Sequence, residues 1–168
     1  MKKIFLLLLF IALLTSCYMS PTAIKYYQPV LSLLMTDTLE FVIAPGEDDV
    51  WNSEDVDSLN LEVIFQETEG IDAFLTEVEW RIKNYDGNTR GEFTKIFTEP
   101  QEIKAGGEDT LDILFFLNGH YANDLDDVDG AEDGVAYGIV EINVKFYDNN
   151  GVTYTSRTFY KDVIAVKP

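Results

Sequence analysis

From Leu39 onward, apolar and polar residues alternate with a period of two in a succession of short runs separated by turn-forming stretches. Leu39, Phe41 and Ile43 form the first run. Leu59, Leu61, Val63 and Phe65 form the second, set against Asn60, Glu62, Ile64 and Gln66. Val78, Trp80 and Ile82 alternate with Glu77, Glu79, Arg81 and Lys83, and Leu111, Ile113, Phe115 and Leu117 with Asp112, Leu114, Phe116 and Asn118. Val140, Ile142, Val144 and Phe146 alternate with Glu141, Asn143 and Lys145. Successive strand side chains point to opposite faces, so each run offers one face to a core and one mostly to water, as antiparallel sheets require. Asp148-Asn149-Asn150-Gly151 supplies a hairpin turn into a last strand within Val152 to Ala165, because Asn and Gly tolerate positive φ. Phe93 to Thr98 predicts a shorter strand closed by Pro100, and no segment sustains an apolar period of 3.6. The fold class predicted is all-β: a two-sheet antiparallel sandwich of about seven strands. An eight-stranded jelly roll or small barrel fits the same runs.

The first 36 residues break this pattern. Met1-Lys2-Lys3 is basic, Ile4 to Leu14 is apolar, and the small residues Thr15-Ser16 precede Cys17, which is the three-part layout of a secretory signal. As a helix the apolar run spans about 16 Å against roughly 30 Å of hydrocarbon, so a removed signal is expected and not a membrane-spanning helix. Leu14-Thr15-Ser16-Cys17 resembles the lipobox of bacterial lipoproteins, where cleavage precedes the cysteine and its sulfur receives a diacylglycerol. The resemblance covers residues 1–17. It implies a signal peptide over 1–16, lipidation at Cys17, and attachment to a membrane of the bacterial cell envelope. Tyr18 stands where an aspartate would favour the inner membrane, which implies the outer membrane if there are two. Two or more acyl chains hold a protein on a bilayer far better than one. The alternative is an ordinary signal peptide cut after Ser16. A tether is expected over 17–36, interrupted at Ser20-Pro21 and Gln28-Pro29, with Val30 to Met35 apolar enough to dock on a domain over 37–168.

Glu67-Thr68-Glu69-Gly70-Ile71, Leu75-Thr76-Glu77-Val78-Glu79-Trp80 and Ala105-Gly106-Gly107-Glu108 resemble bacterial immunoglobulin-like domains of surface and periplasmic proteins. The resemblance spans roughly Asp37 to Pro168. It implies that Trp80 is the core tryptophan of the third strand and that Asp133 with Tyr137 forms part of a tyrosine corner. Both disulfide cysteines of that pattern are absent, and Ile139 stands at one of their positions.

Charge narrows the function. The chain carries 30 acidic and 12 basic residues, and loss of residues 1–16 removes only Lys2 and Lys3, leaving about −20 on 152 residues. That argues against nucleic acid and against docking on anionic lipid, both of which need basic patches. With Cys17 acylated, no thiol remains for a disulfide, a zinc site or a nucleophile.

With the strands lettered A to G, the connections after A, C and E meet at one end, and they are the segments richest in acid. Asp48 and Asp49 lie in the first, Asp86 in the second, and Asp124, Asp126, Asp127 and Asp129 in the third. Hard cations such as calcium take six to eight oxygen ligands from such loops, so these residues are the candidate metal ligands. The plainer reading is a solvated acidic surface. Asp127-Val128-Asp129-Gly130 is not a helix-loop-helix calcium loop, since Leu125 and Ala136 occupy its first and twelfth ligand positions. Strand A would begin at the other end, so the acidic pole is expected to face away from the membrane.

His120, the single histidine, lacks a nameable partner, Ser53, Ser58 and Ser156 lack a nucleophile context, and no phosphate-binding loop is present. The tyrosines at 26, 27, 121, 137, 147, 154 and 160 could serve as platforms for a glycan or an envelope protein, or simply as strand residues. The expected function is therefore a lipid-anchored envelope protein with a non-catalytic binding or structural sandwich. The competing expectation is a hydrolase or enzyme accessory domain whose loop carboxylates act on a polysaccharide or peptidoglycan.

Overall fold

The computed structural model describes residues 27–47, 50–129 and 134–168; the signal segment and Cys17 lie outside the described residues. The alternating runs become strands of a two-sheet sandwich. The elements are β1 (Leu31–Leu34), β2 (Thr38–Val42), β3 (Val56–Glu67), β4 (Ala73–Lys83), β5 (Thr89–Ile103), β6 (Glu108–Asn118), a helix α1 (Gly119–Asp129), β7 (Val135–Asp148), β8 (Thr153–Thr155) and β9 (Phe159–Val166).

One sheet has the order β1-β3-β6 and the other β2-β9-β7-β4-β5, with β8 continuing beside β7. Read as letters, β1, β3 and β6 are A, B and E, while β4, β7 and β8/β9 are C, F and G. This is the partition of an immunoglobulin-like sandwich. The first strand is shared between sheets. β1 pairs antiparallel with β3, and after a three-residue step β2 pairs parallel with β9. Asp57 secures this crossing, because one carboxylate oxygen accepts the Val42 N–H of β2 at 2.8 Å and the other the Ser58 N–H of β3 at 2.8 Å. Leu31 and Leu33 are buried, so Leu31–Leu34 belongs to the sandwich and not to a tether.

The core lies between the two inner faces. Trp80 of β4 is buried at its centre, stacked on Phe93 at 5.7 Å and tilted against Phe115 at 5.2 Å. Each fully buried side chain of this size contributes roughly 1.5–3 kcal/mol, which is how the domain holds together without a disulfide. In β4, Leu75 and Val78 both face inward although they are three positions apart, because a bulge at Thr76 shifts register against both neighbours. The Thr76 hydroxyl occupies the disturbed position by donating to the Lys145 carbonyl at 3.0 Å.

Three expectations are corrected. The strand expected over Phe93 to Thr98 is longer at both ends, from Thr89 through Pro100 to Ile103, and it pairs with β4, placing it in the C-F-G sheet. Pro100 is accommodated because β5 is an edge strand and residues 97–100 have no partner in β4. The connection after β6 is not an irregular loop. It opens with α1, which Asn118 caps by accepting the Tyr121 N–H at 2.9 Å. Tyr137 does not turn inward, and Asp133, its expected companion in a tyrosine corner, lies outside the described residues. Ala136 and Gly138 face the core, so Tyr137 lies on the outer face, 40% exposed.

Candidate functional site

The connections after β2, β4 and β6 do meet at one pole. Val56 at the start of β3 pairs with Asn118 at the end of β6, and Lys83 at the end of β4 pairs with Ile139 near the start of β7. Gly119 packs so closely on Asn52 that a Cβ there would lie 2.6 Å from the Asn52 carbonyl oxygen. Trp51 is buried beneath, its indole N–H donating to the Ile43 carbonyl at 2.8 Å.

Two acids at this pole, Asp57 and Asp55, serve the backbone. Asp55 accepts the Asn52 N–H at 2.9 Å, and its carbonyl accepts the Gly119 N–H at 2.7 Å, tying the first connection to the third. Asp124 on α1 pairs with Arg90 at 3.5 Å. Asp126 is buried, beside the inward-facing Ala122 and Leu125 of the same helix. Asp86 is exposed in a tight turn that Asn84 closes by accepting the Asn88 N–H at 2.9 Å. Asp127 and Asp129 fall in the last turn of α1, and Asp48 and Asp49 lie outside the described residues. Among the described residues, no three acidic, histidine or cysteine side chains converge as a metal-holding group. His120 is exposed, next to Tyr121.

The opposite pole holds the turns after β3, β5 and β7, together with the start of β1. Here three acids organise the backbone. Glu67 is only 1% exposed. Its Oε1 accepts N–H groups of Val30 at 3.2 Å and Glu69 at 2.8 Å; its Oε2 accepts those of Gly70 at 2.7 Å, Ile71 at 3.1 Å and Gly106 at 2.9 Å. Burial alone would raise the carboxyl's pKa, but the donors, with Gly106 foremost, outweigh it and hold the group below its ordinary value. Asp72 bridges two other turns by accepting the Ala105 N–H at 2.8 Å and the Asn149 side-chain amide at 3.1 Å. The Asn149 and Ala105 hydrogen bonds depress its pKa in that order. Asp148 accepts the N–H groups of Val152 at 2.9 Å and Asn150 at 2.8 Å and the Tyr154 hydroxyl at 3.1 Å. The Val152 bond leads in lowering its pKa against the opposing effect of burial.

Sequence reasoning placed the acidic pole but passed over Glu67. A usable signal was present: an acid ending a strand, three residues before a glycine with positive φ, Gly70, that closes the turn.

Beside this pole, between the segment leading into β1 and the β7–β8 hairpin, lies a cavity of about 300 Å³ lined in part by Val30, Leu31, Phe146, Tyr154, Ser156 and Arg157. Of the tyrosines named above, Tyr154 stacks on Phe146 at 5.7 Å and Tyr147 on Phe74 at 5.1 Å, while Tyr121 meets Phe93 edge-on. Tyr27, Tyr137 and Tyr160 are exposed.

No protein-family model matches the chain, and no curated protein matches it significantly. Among solved structures, the putative ApaA protein from Bordetella pertussis is 12% identical with a TM-score of 0.45, over 83% of this chain and 95% of that one. A PapD-like domain of human CEP192 is 10% identical with a TM-score of 0.41, over 90% and 94%. Murine CRIg is 13% identical with a TM-score of 0.40, over 82% and 98%. Likenesses at this level transfer no property to this chain.

Proposed function

We propose that this protein is a lipid-anchored component of a bacterial cell envelope, held to the membrane through a diacylglycerol on Cys17. Its immunoglobulin-like sandwich acts without catalysis, as a binding or structural module for an envelope protein or glycan. The supporting observation is the polarity of the fold. The described chain enters the sandwich at β1, at the pole of Glu67, Asp72 and Asp148, while the connections carrying Asp86 and Asp124 lie at the far pole. An anchor attached ahead of β1 therefore leaves the acidic pole directed outward, where a partner is met. The acids fit a non-catalytic module, since those with described partners chiefly cap backbone N–H groups or form ion pairs.

Membrane fractionation of cells expressing the full chain tests the reading. The wild type should sediment with membranes, and Cys17→Ala should appear in the soluble or exported fraction. A Cys17→Ala protein that stays entirely with membranes would overturn the anchor.

A further inference from the structure

The cavity beside the β7–β8 hairpin differs in charge from the rest of this acidic molecule. None of its lining residues is acidic, and Arg157 stands on its wall. Among the described residues, Arg81, Lys83, Arg90, Lys104, Lys145 and Lys161 are each committed to a carboxylate. Arg157 has no carboxylate partner there. Its guanidinium carbon lies 5.3 Å from the centroid of the Phe159 ring, a cation–π contact that uses none of its N–H donors.

The remaining walls are of two kinds. Tyr154 presents its ring, backed by the buried Phe146 on which it stacks, 26° apart in plane. The other wall is strand edge. Ser156 N–H donates to the Val144 carbonyl and Asp148 N–H to the Val152 carbonyl, so alternate residues 152, 154 and 156 turn toward β7. By the antiparallel alternation, Thr155 directs its N–H and carbonyl away from β7, on the unpaired edge of β8. Leu31 does the same on β1, because Val30 is the residue whose carbonyl accepts the Thr68 N–H. The Ser156 hydroxyl is itself engaged, accepting the Val144 N–H at 3.0 Å and donating to the Arg157 carbonyl at 2.7 Å, which fixes the backbone that carries Arg157.

We propose that this cavity is a binding site for a small organic anion: a carboxylate joined to a flat or apolar body of about ten non-hydrogen atoms. The size follows from about 300 Å³ at the roughly 30 Å³ that a water molecule takes in the liquid. The carboxylate meets the Arg157 guanidinium, whose paired N–H groups match its two oxygens, and the flat body lies against the ring of Tyr154. The inference rests on the binding reading of the sandwich and not on the anchor, so failure of the Cys17→Ala test leaves it standing.

The test uses the full chain, solubilised in a neutral detergent and labelled with ¹⁵N, titrated with benzoate and with uncharged benzamide of the same shape. Benzoate should shift the Thr155, Ser156 and Arg157 amide signals saturably, with a dissociation constant in the millimolar range or tighter, as expected for a ligand of about nine atoms. Benzamide should bind about tenfold more weakly. Arg157→Gln should lose about tenfold for benzoate and little for benzamide, while Arg157→Lys, which keeps the charge but not the fork, should fall between. The variants should keep the wild-type spectrum away from residues 153–159. The proposal is overturned if benzoate produces no saturable shift at these amides, if benzamide binds equally well, or if Arg157→Gln binds benzoate undiminished.

Discussion

Replacing Glu67 by glutamine changes one oxygen to an amino group and leaves the side chain almost unaltered in size, so it isolates the electrostatic role of this carboxylate. Oε2 serves three N–H donors and Oε1 serves two. The least costly orientation of the amide keeps its oxygen toward Gly70, Ile71 and Gly106 and turns its NH2 toward Val30 and Glu69. Two N–H groups then lose their acceptor and meet a donor. At about 1–2 kcal/mol for each lost bond, in turns that water partly reaches, the substitution costs roughly 2–4 kcal/mol. For a domain of this size, that lowers the thermal midpoint by about 5–15 °C. The buried indoles of Trp51 and Trp80 give a fluorescence signal for unfolding. The pH dependence carries a second sign. Because the folded pKa lies below the ordinary value of about 4.3, the stabilisation is complete above that value and is lost as pH falls through the folded pKa. The gap between wild type and Glu67→Gln should therefore be widest near neutrality and close in acid. A variant that melts within about 2 °C of wild type at neutral pH, or a gap that stays constant down to about pH 3, would refute the reasoning.

Gly119→Ala should destabilise the domain by about 1–3 kcal/mol in urea unfolding, because the new Cβ falls on the Asn52 backbone, which cannot move aside as a side-chain tip would. Gly70→Ala meets no neighbour but sits at φ +78°, so its cost, about 1 kcal/mol, should come from the backbone alone. Thermal midpoints in chelator, in millimolar magnesium and in millimolar calcium should agree within about 2 °C. Asp124 already pairs with Arg90, and a calcium-specific rise of about 5 °C or more would instead establish a metal site at the acidic pole.

The architecture was legible because strands with one buried face write themselves as alternation. Trp80, Ile113, Val144 and their partners turn inward as the period requires. What escaped the period was set by other terms. The split of the first strand depends on Asp57 bonding across two sheets, a contact that no local pattern encodes. Pro100 marks a strand end only where its neighbour needs an N–H, and on the unpaired stretch of β5 nothing does. Helix α1 buries Ala122, Leu125 and Asp126 rather than a long apolar stripe, so its 3.6 period is too brief to stand out. At the candidate sites, counting acids found the pole but not their uses. A carboxylate that caps an N–H and one that is merely solvated look alike in sequence, and Glu67 differs from its neighbours only through donors that arrive from 37 and 39 residues away.

The anchor on Cys17 is the premise on which the orientation of the acidic pole depends. Intact mass and amino-terminal peptide mass of the protein purified from bacterial membranes test it most directly. The account predicts that the mature chain begins at Cys17 and carries a diacylglycerol on its sulfur. A chain cut elsewhere, or one with Cys17 unmodified, would contradict it.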